Sequence, residues 1–599
     1  MPPKGPLTEI VKMGGFFVVR HDRTTHHVSL VQRLEGCLRR QGFEEPRRVD
    51  GANYSLRVYP KWNVADDNVV FGRDGDFAFA TGTVIYRGRH GAEAIRGVLT
   101  DFDPARFDPN DLYGHFCIGV SKGGSLYLFT DRLGLYNVYR DLHDHVYSNS
   151  FLAVCESLEA VQVNTQSLYE YVFIETTYGN KTVFEEIESI PAHCIVRISE
   201  GVTSLRQKEW VRPGVASGSL DDHVKASLAV ARRYFSWIRD CFDGRVVTAL
   251  SGGYDSRLML ALLREQGVKF SVYVYGKPEK CDVRIASEIA RGEGFTLDCI
   301  DKSAQPKPER DAFAAIVEKN FYAFDGYPGD GIFDNGSDLS TRIDRSRGGK
   351  LMLNGAGAEY LRETWPIARV RLTPLGFVSR CICGYSPDVG TSRFCEDAFL
   401  KSLAEKVSGA LGSDRSLLGR REMELAWITF QSRYFLSRNC AINNRFSWAL
   451  LPLLGTEMIA QGLSVPVEYR FSGQLEGGMI REASPALAGY QSQYGHDFLH
   501  EAPLRRRVLD ALGRLRTTYL PMRYAHRLKN AWRRWRKAKN NFPYYLQTEY
   551  LTAVIDPTFP YLSEFLEVDR VVDPKQYTRI CTLEYLLQKI RPRVSAGSP

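Results

Sequence analysis

The stretch that most limits the fold is Arg245–Arg257. It reads Arg245 and then Val246-Val-Thr-Ala-Leu250, a β-branched and apolar run, followed by Ser251-Gly252-Gly253-Tyr254-Asp255-Ser256-Arg257. A helix-forming sequence follows and stops at Gly267, a C-cap residue. A strand without polar–apolar alternation, as here, needs cover on both faces. A helix directly after it points to a parallel sheet with helices on each side. The pattern continues with a strand over Phe270–Tyr275, a helix over Asp282–Arg291 and a strand over Phe295–Ile300. A long helix, Asp221 to about Asp240, leads in. Such sheets take ligands at the carboxyl ends of their strands.

The loop itself predicts what that ligand is. Gly252 and Gly253 let the backbone turn tightly and approach a ligand closely. Successive N–H groups then form an anion nest, and the following helix adds its positive dipole end. Ser251 and Ser256 supply hydroxyl donors. Asp255 belongs beside phosphate oxygens only if a divalent cation lies between, and Mg²⁺ favours that combination of carboxylate and phosphate. The Gly-Lys-Ser/Thr of a Walker A loop is missing. The expectation is an ATP–Mg²⁺ site.

The first third of the chain has a different texture. Leu56–Tyr59, Phe77–Thr81, Gly82–Tyr86, Phe116–Val120, Ser125–Thr130 and His193–Ile198 read as short strands. Two helices are expected near 91–99 and 166–174, giving an α+β layered domain. Arg212–Ser219, rich in Pro, Gly and Ser, reads as a linker. The expected division is 1–211, 220–500 and 501–599. Residues 395–520 read as mostly helical, and a basic helix is expected over Arg523–Lys539, with Trp532 and Trp535 packed inward. The same helix also reads as a docking surface for an anionic substrate, a carrier protein or acidic lipid.

Composition narrows the classes. With 599 residues, 44% apolar and 25% charged, this is a globular chain of more than one domain. No run of about 18 apolar residues exists, so no spanning helix is expected. The start, Met1-Pro2-Pro3-Lys4, does not read as a secretion signal. Twelve Cys without a CxxC pair, Cys381-x-Cys383 included, read as reduced core thiols of a cytoplasmic protein. A net charge of +8 does not argue for nucleic acid. His143-x-His145 has no evident third metal ligand, and His26-His27 reads as surface.

The loop resembles the pyrophosphate loop of N-type ATP pyrophosphatases. More of the chain, roughly 13 to 490, resembles the asparagine synthetase family, which includes β-lactam synthetases and lasso-peptide cyclases. Asp131-Arg-Leu-Gly-Leu-Tyr-Asn-Val-Tyr139, Tyr147-Ser-Asn-Ser150, Thr182–Ile187, Ile190-Pro-Ala-His193, Leu353-Asn-Gly-Ala-Gly-Ala-Glu359, Pro452-Leu-Leu-Gly455 and Ile480-Arg-Glu482 carry the likeness. It implies an Ntn-hydrolase-type αββα domain, then an adenine-nucleotide α-hydrolase domain with a helical C-terminal region. The implied reaction adenylates a carboxylate with loss of pyrophosphate, and an amine displaces AMP. By position, Ser251, Gly252, Gly253, Tyr254 and Ser256 would bind the pyrophosphate end. Leu250 and Val274 would lie near adenine, and Gly355 would let backbone approach the nucleotide. Asp255 and Glu359 would be catalytic metal ligands.

The departures matter as much. Gly14 stands where the family has its nucleophilic Cys, and Thr81-Gly82-Thr83 replaces the Asn-Gly-Glu of the glutamine pocket. Ala356 replaces an acidic residue, and Gly477 the expected lysine. Lys350, Arg257 and Arg481 are candidate substitutes, with Arg481 counted among the catalytic residues. Asp325 and Asp330 are candidate acids or bases, or turn formers. The expected function is an AMP-forming, ATP-dependent amide-bond synthetase without glutaminase activity. Its partners would be a carboxylate and an amine or ammonia, and a homodimer is compatible. Glutamine-hydrolysing asparagine synthesis and non-catalytic nucleotide binding are the rivals.

Overall fold

The computed structural model describes residues 12–590, apart from 22–26, 62–66, 193, 207–213, 215–216, 363–366, 368–369, 386, 413–414, 520–521 and 536–541. The Met1-Pro-Pro-Lys4 start, His26, His193, half of the Arg212–Ser219 linker and the end of the basic run at Lys539 lie outside these.

The first third forms two antiparallel sheets. In one, the Gly15–Arg20 strand pairs with Tyr54–Tyr59 and Val146–Ser148. In the other, Phe77–Tyr86 pairs with Leu112–Lys122 along its whole length. Side chains alternate along a strand, so Gly15–Arg20 serves two cores. Phe16 and Val18 join Phe79, Leu126 and Val196 between the sheets. Phe17 and Val19 pack with Leu34 and Phe151, on the helices His27–Arg40 and Phe151–Ser157. The helix Gly91–Asp101 covers the outer face of the second sheet through Val98 and Ile95. The layer order is therefore helix, sheet, sheet, helix. Sequence reading split Phe77–Tyr86 into two strands at Gly82; the ladder runs through it. Gly82 has φ +88°, and a Cβ there would lie 2.3 Å from the His115 carbonyl oxygen.

The second half carries a five-stranded sheet, all parallel, in the order Leu297–Ile300, Phe270–Tyr275, Val246–Ala249, Leu351–Leu353, Trp448–Leu450. Strands are first added to one side of Val246–Ala249 and then to the other. The carboxyl ends of Val246–Ala249 and Leu351–Leu353 thus frame the switch point where such sheets open a crevice. The last two strands went unread because each has only three residues. Trp448–Leu450 also interrupts the region expected to be helical.

The sheets are joined through polar groups. Thr83 donates to Asn444 Oδ1 (2.7 Å) and accepts from the Ala449 N–H, and the Leu451 N–H donates to His115 Nε2 (3.1 Å). The largest apolar cluster runs from Met13 to Ile590 and includes the buried Ile580, Cys581 and Leu586 of the helix Pro574–Lys589. Cys281, Cys299 and Cys395 are exposed rather than in the core. Trp532 is also a correction: 53% of it is exposed, because its helix turns polar residues inward. Trp535 belongs to the Met522–Trp535 helix, but its side chain is not among those described. Among the described residues, no helix is long and apolar enough to cross a membrane.

Candidate functional site

The loop Leu250–Gly253 leaves the central parallel strand at the switch point, and the helix Tyr254–Glu265 begins directly after it. Gly253 is the N-cap and has no side chain to close the helix end. Ser251 and Ser256 close the loop on itself: the Ser251 N–H donates to Ser256 Oγ (3.0 Å), and the two hydroxyls lie 3.0 Å apart. The Gly253 N–H reaches Ser251 Oγ (3.3 Å). The Gly252 N–H already holds an anion, Asp282 Oδ1 at 2.8 Å. A carboxylate of the chain thus already accepts one N–H of the loop. Gly252 also has no room for a side chain: a Cβ would lie 2.8 Å from Ile285.

Gly355 comes from the neighbouring strand end and touches the loop. A Cβ there would lie 2.9 Å from Asp255 Cβ, so only glycine allows the two loops to meet. Leu250 and Val274 are buried with Leu260, Ala261 and Ile289, so their side chains belong to the core beneath the site. Tyr254 is buried too. Its ring stacks on Phe498 at 4.0 Å, and its hydroxyl donates to the Ser472 carbonyl. Burial and the nearby Glu476 raise its pKa.

Asp255 faces a cation that the sequence did not reveal. Arg362 grips both of its carboxylate oxygens, one through Nη1 and the other through Nη2 at 2.7 Å. Arg362 Nη1 also donates to Glu476 Oε2 at 2.7 Å. Burial opposes the guanidinium charge, but Glu476 and Asp255 outweigh it and raise its pKa. Glu476 is fully buried, and its Oε1 has no hydrogen-bond partner among the described residues. Burial, with Asp255 adding to it, pushes the Glu476 carboxyl well above the usual range despite Arg362. The site thus favours a protonated Glu476 beside an Asp255–Arg362 pair.

This arrangement corrects the expected metal seat. Both Asp255 oxygens are committed to Arg362, and the carboxylate that shares this guanidinium is Glu476, not Glu359. Glu359 lines a neighbouring cavity with Arg420, Glu424 and Arg470. The residues present do not fit Mg²⁺ between Asp255 and Glu359. Among the described residues, no group of three or more His, Cys, Asp or Glu is placed to hold a metal.

Other expected residues are placed elsewhere. Arg481 is exposed on the helix Gln474–Ala483 and donates to the Leu499 carbonyl (3.2 Å). Arg257 is buried and serves the backbone, donating to the carbonyls of Tyr490 (2.7 Å) and Gln491 (2.9 Å); burial lowers its pKa to about 10. Lys350 is partly buried and gives its carbonyl to Ser447 Oγ. Asp325 is buried, accepts the N–H groups of Phe151 and Leu152, and pairs with Arg445 (2.7 Å). It anchors a helix start, whereas Asp330 is exposed. Gly477 faces Tyr254, 3.6 Å from where a Cβ would be.

The position where the resemblance implies a nucleophile is filled. Met13 is buried, its N–H donates to the Gly42 carbonyl, and the Gly14 N–H donates to the Arg445 carbonyl. A Cβ on Gly14 would fall 2.3 Å from Lys61 Cγ. Lys61 runs over this spot and donates to the carbonyls of Gly82 and Ser447, both at 2.8 Å, with its amine 3.8 Å from the Trp448 ring centroid. Burial drives its pKa well below the ordinary lysine value. Thr81 and Thr83, on Phe77–Tyr86, line a sealed joint rather than an open glutamine pocket.

Comparison with known proteins adds little at this point. No family model and no curated protein matches the chain. One similar solved structure is glutamine phosphoribosylpyrophosphate (PRPP) amidotransferase from B. subtilis complexed with ADP and GMP, 10% identical, covering 48% of this chain and 81% of that one, with a TM-score of 0.22. Another is described as the allosteric regulatory enzyme of purine biosynthesis, 9% identical, covering 48% and 75%, with a TM-score of 0.20. At these scores neither likeness bears on what this chain does.

The residues missed by sequence reading are Arg362, Glu476 and Asp282. Arg362 follows Glu359 by three positions, and Glu476 lies in the Gln474-Leu-Glu-Gly-Gly478 stretch that departs from the family. The readable signal was Glu476 itself, an acidic residue among apolar and glycine neighbours, which buries only with a partner.

Proposed function

We propose that this protein is an ATP-dependent, AMP-forming amide-bond synthetase of the asparagine-synthetase type. On this reading it joins a carboxylate to an amine or ammonia without drawing ammonia from glutamine. The supporting observation is the Ser251–Ser256 nest at the switch point of an all-parallel sheet, with the Tyr254–Glu265 helix start behind it. The four-layered first third would be an Ntn-hydrolase-type scaffold.

In this reading the β- and γ-phosphates replace Asp282 as acceptors of the Gly252 N–H, next to the Gly253 N–H and the Ser251 and Ser256 hydroxyls. The substrate carboxylate attacks the α-phosphorus; the new O–P bond forms as the bond to pyrophosphate breaks. The amine then attacks the acyl carbon, and AMP departs with the C–O electron pair. Arg362 supplies fixed positive charge beside the leaving pyrophosphate. Preorganised charge of this kind is a large term in such transfers. Asp255 and Glu476 act as positioning residues that aim Arg362. Lys61 and Gly14 exclude glutamine chemistry.

A non-catalytic nucleotide-binding role is the second reading. Gly477 at the lysine position and the grip of Arg362 on Asp255 favour it. Exchange of labelled pyrophosphate into ATP, with a panel of amino-acid and peptide carboxylates, separates the two. The proposal expects exchange with AMP as product, and Asp255→Asn should lower it about 10²-fold by releasing Arg362. ADP as product, or no exchange with any carboxylate, would overturn it.

A further inference from the structure

The net positive charge of the chain lies in one helical pair. Residues 502–548 hold thirteen Lys and Arg and a single acid, Asp510, for a net +12 against +8 for the whole chain. The remainder therefore sums to −4. Two helices fall inside this segment, Leu504–Tyr519 and Met522–Trp535.

Both helices face the wrong way for a soluble surface. On Leu504–Tyr519, Leu504, Val508, Leu512 and Leu515 recur at helical spacing on one side and are 48–75% exposed. The opposite side meets the body through polar groups: Asp510 accepts from Ser472 Oγ (3.1 Å), and Arg506 stacks over Tyr494 (5.0 Å). On Met522–Trp535, Tyr524, Leu528 and Trp532 share one side and are 41–71% exposed. There the body is met by Asn530, which is buried, and by Arg527, paired with Glu396 (2.6 Å). The pair holds half of the exposed large apolar side chains among the described residues. Arg505 and Arg507 are exposed and flank the leucine stripe by helical spacing.

An outward apolar stripe bordered by arginines is the pattern of a helix lying in a bilayer interface. We propose that Leu504–Trp535 docks on a membrane surface carrying anionic lipid headgroups. The leucines and Trp532 enter the headgroup boundary, and the arginines meet the lipid phosphates. A nucleic acid would use the charge but leave the stripe in water. A second copy of the chain would cover the stripe only by facing two +12 segments. This docking is separate from the nucleotide reading, since it uses no loop residue.

Flotation of the full-length protein with vesicles tests it. Phosphatidylcholine vesicles with about one-third phosphatidylserine should capture the protein, and pure phosphatidylcholine should not. Capture should fall as salt shortens the screening length. The double substitution Leu512→Asp/Leu528→Asp should weaken capture at least about tenfold. Its thermal midpoint should match wild type, because both side chains are exposed. If that variant misfolds, Arg505→Glu/Arg507→Glu should lower capture instead. Three results would overturn the proposal. These are no capture by anionic vesicles, equal capture by neutral ones, and capture that survives the folded variants while duplex RNA competes for it. A wild-type dimer that Leu512→Asp/Leu528→Asp splits would assign the stripe to self-association and also overturn it.

Discussion

Two places in this molecule put a basic side chain where the resemblance to asparagine synthetases implies chemistry, and they differ in kind. At Gly14 it is the Lys61 amine, buried and fixed by the backbone carbonyls of Gly82, in a strand of the first third, and of Ser447, just ahead of the parallel strand Trp448–Leu450. At Asp255 it is Arg362, held by the Asp255 carboxylate and the Glu476 carboxyl at the open end of a parallel sheet. Backbone carbonyls cannot leave, so the first place is a joint. Side-chain carboxyl groups can exchange one partner for another, so the second place is where the proposed function puts the nucleotide. Asp255 retains 23% side-chain exposure, whereas the atoms around Gly14 are sealed. A sealed pocket and a self-satisfied one look alike as sequence departures but predict opposite responses to repair.

The largest expected effect is at the joint. Gly14→Cys should destabilise the protein by about 3 kcal/mol, because its Cβ would lie 2.3 Å from Lys61 Cγ and 3.3 Å from the Lys61 backbone, in a buried joint. Urea unfolding measures this, and a glutamine assay should show no ammonia released. A stable Gly14→Cys protein that hydrolyses glutamine would break the distinction between the two places.

The smallest effect is at Glu476, on the helix Gln474–Ala483 beside Arg362. Burial raises the Glu476 pKa, so the folded state holds a proton that the unfolded state has lost. Stability from this group is complete below the ordinary glutamate range, about 4.5, and declines as pH rises through the raised folded value. Glu476→Gln removes that decline. Unfolding midpoints across pH 5 to 9 should show the variant within about 1 kcal/mol of wild type at low pH and gaining on it at high pH. A variant that loses ground as pH rises would mean that Arg362 needs an ionised Glu476.

Sequence reading reached the architecture where elements are long and periodic. The strand Phe270–Tyr275 and the loop before Tyr254 are where the residues predicted them. It failed where three-residue strands are stabilised by their neighbours, as at Leu351–Leu353 and Trp448–Leu450. At the site, the loop glycines and hydroxyls were legible because their roles are local: Ser251 and Ser256 close one turn between them. Arg362 and Glu476 were not, because an ion pair across more than 100 residues leaves no spacing to read. Asp325 misled for the same reason. Its partners, Phe151 and Arg445, are distant in sequence, and a buried helix anchor looks like a free turn carboxylate.

Hydrogen–deuterium exchange of the full-length protein, with ATP and separately with glutamine, tests the contrast most directly. ATP should slow exchange in peptides covering 250–262 and 351–362 and leave 13–20 unchanged, and glutamine should alter neither. Protection of 13–20 by glutamine, or no protection of 250–262 by ATP, would contradict the account.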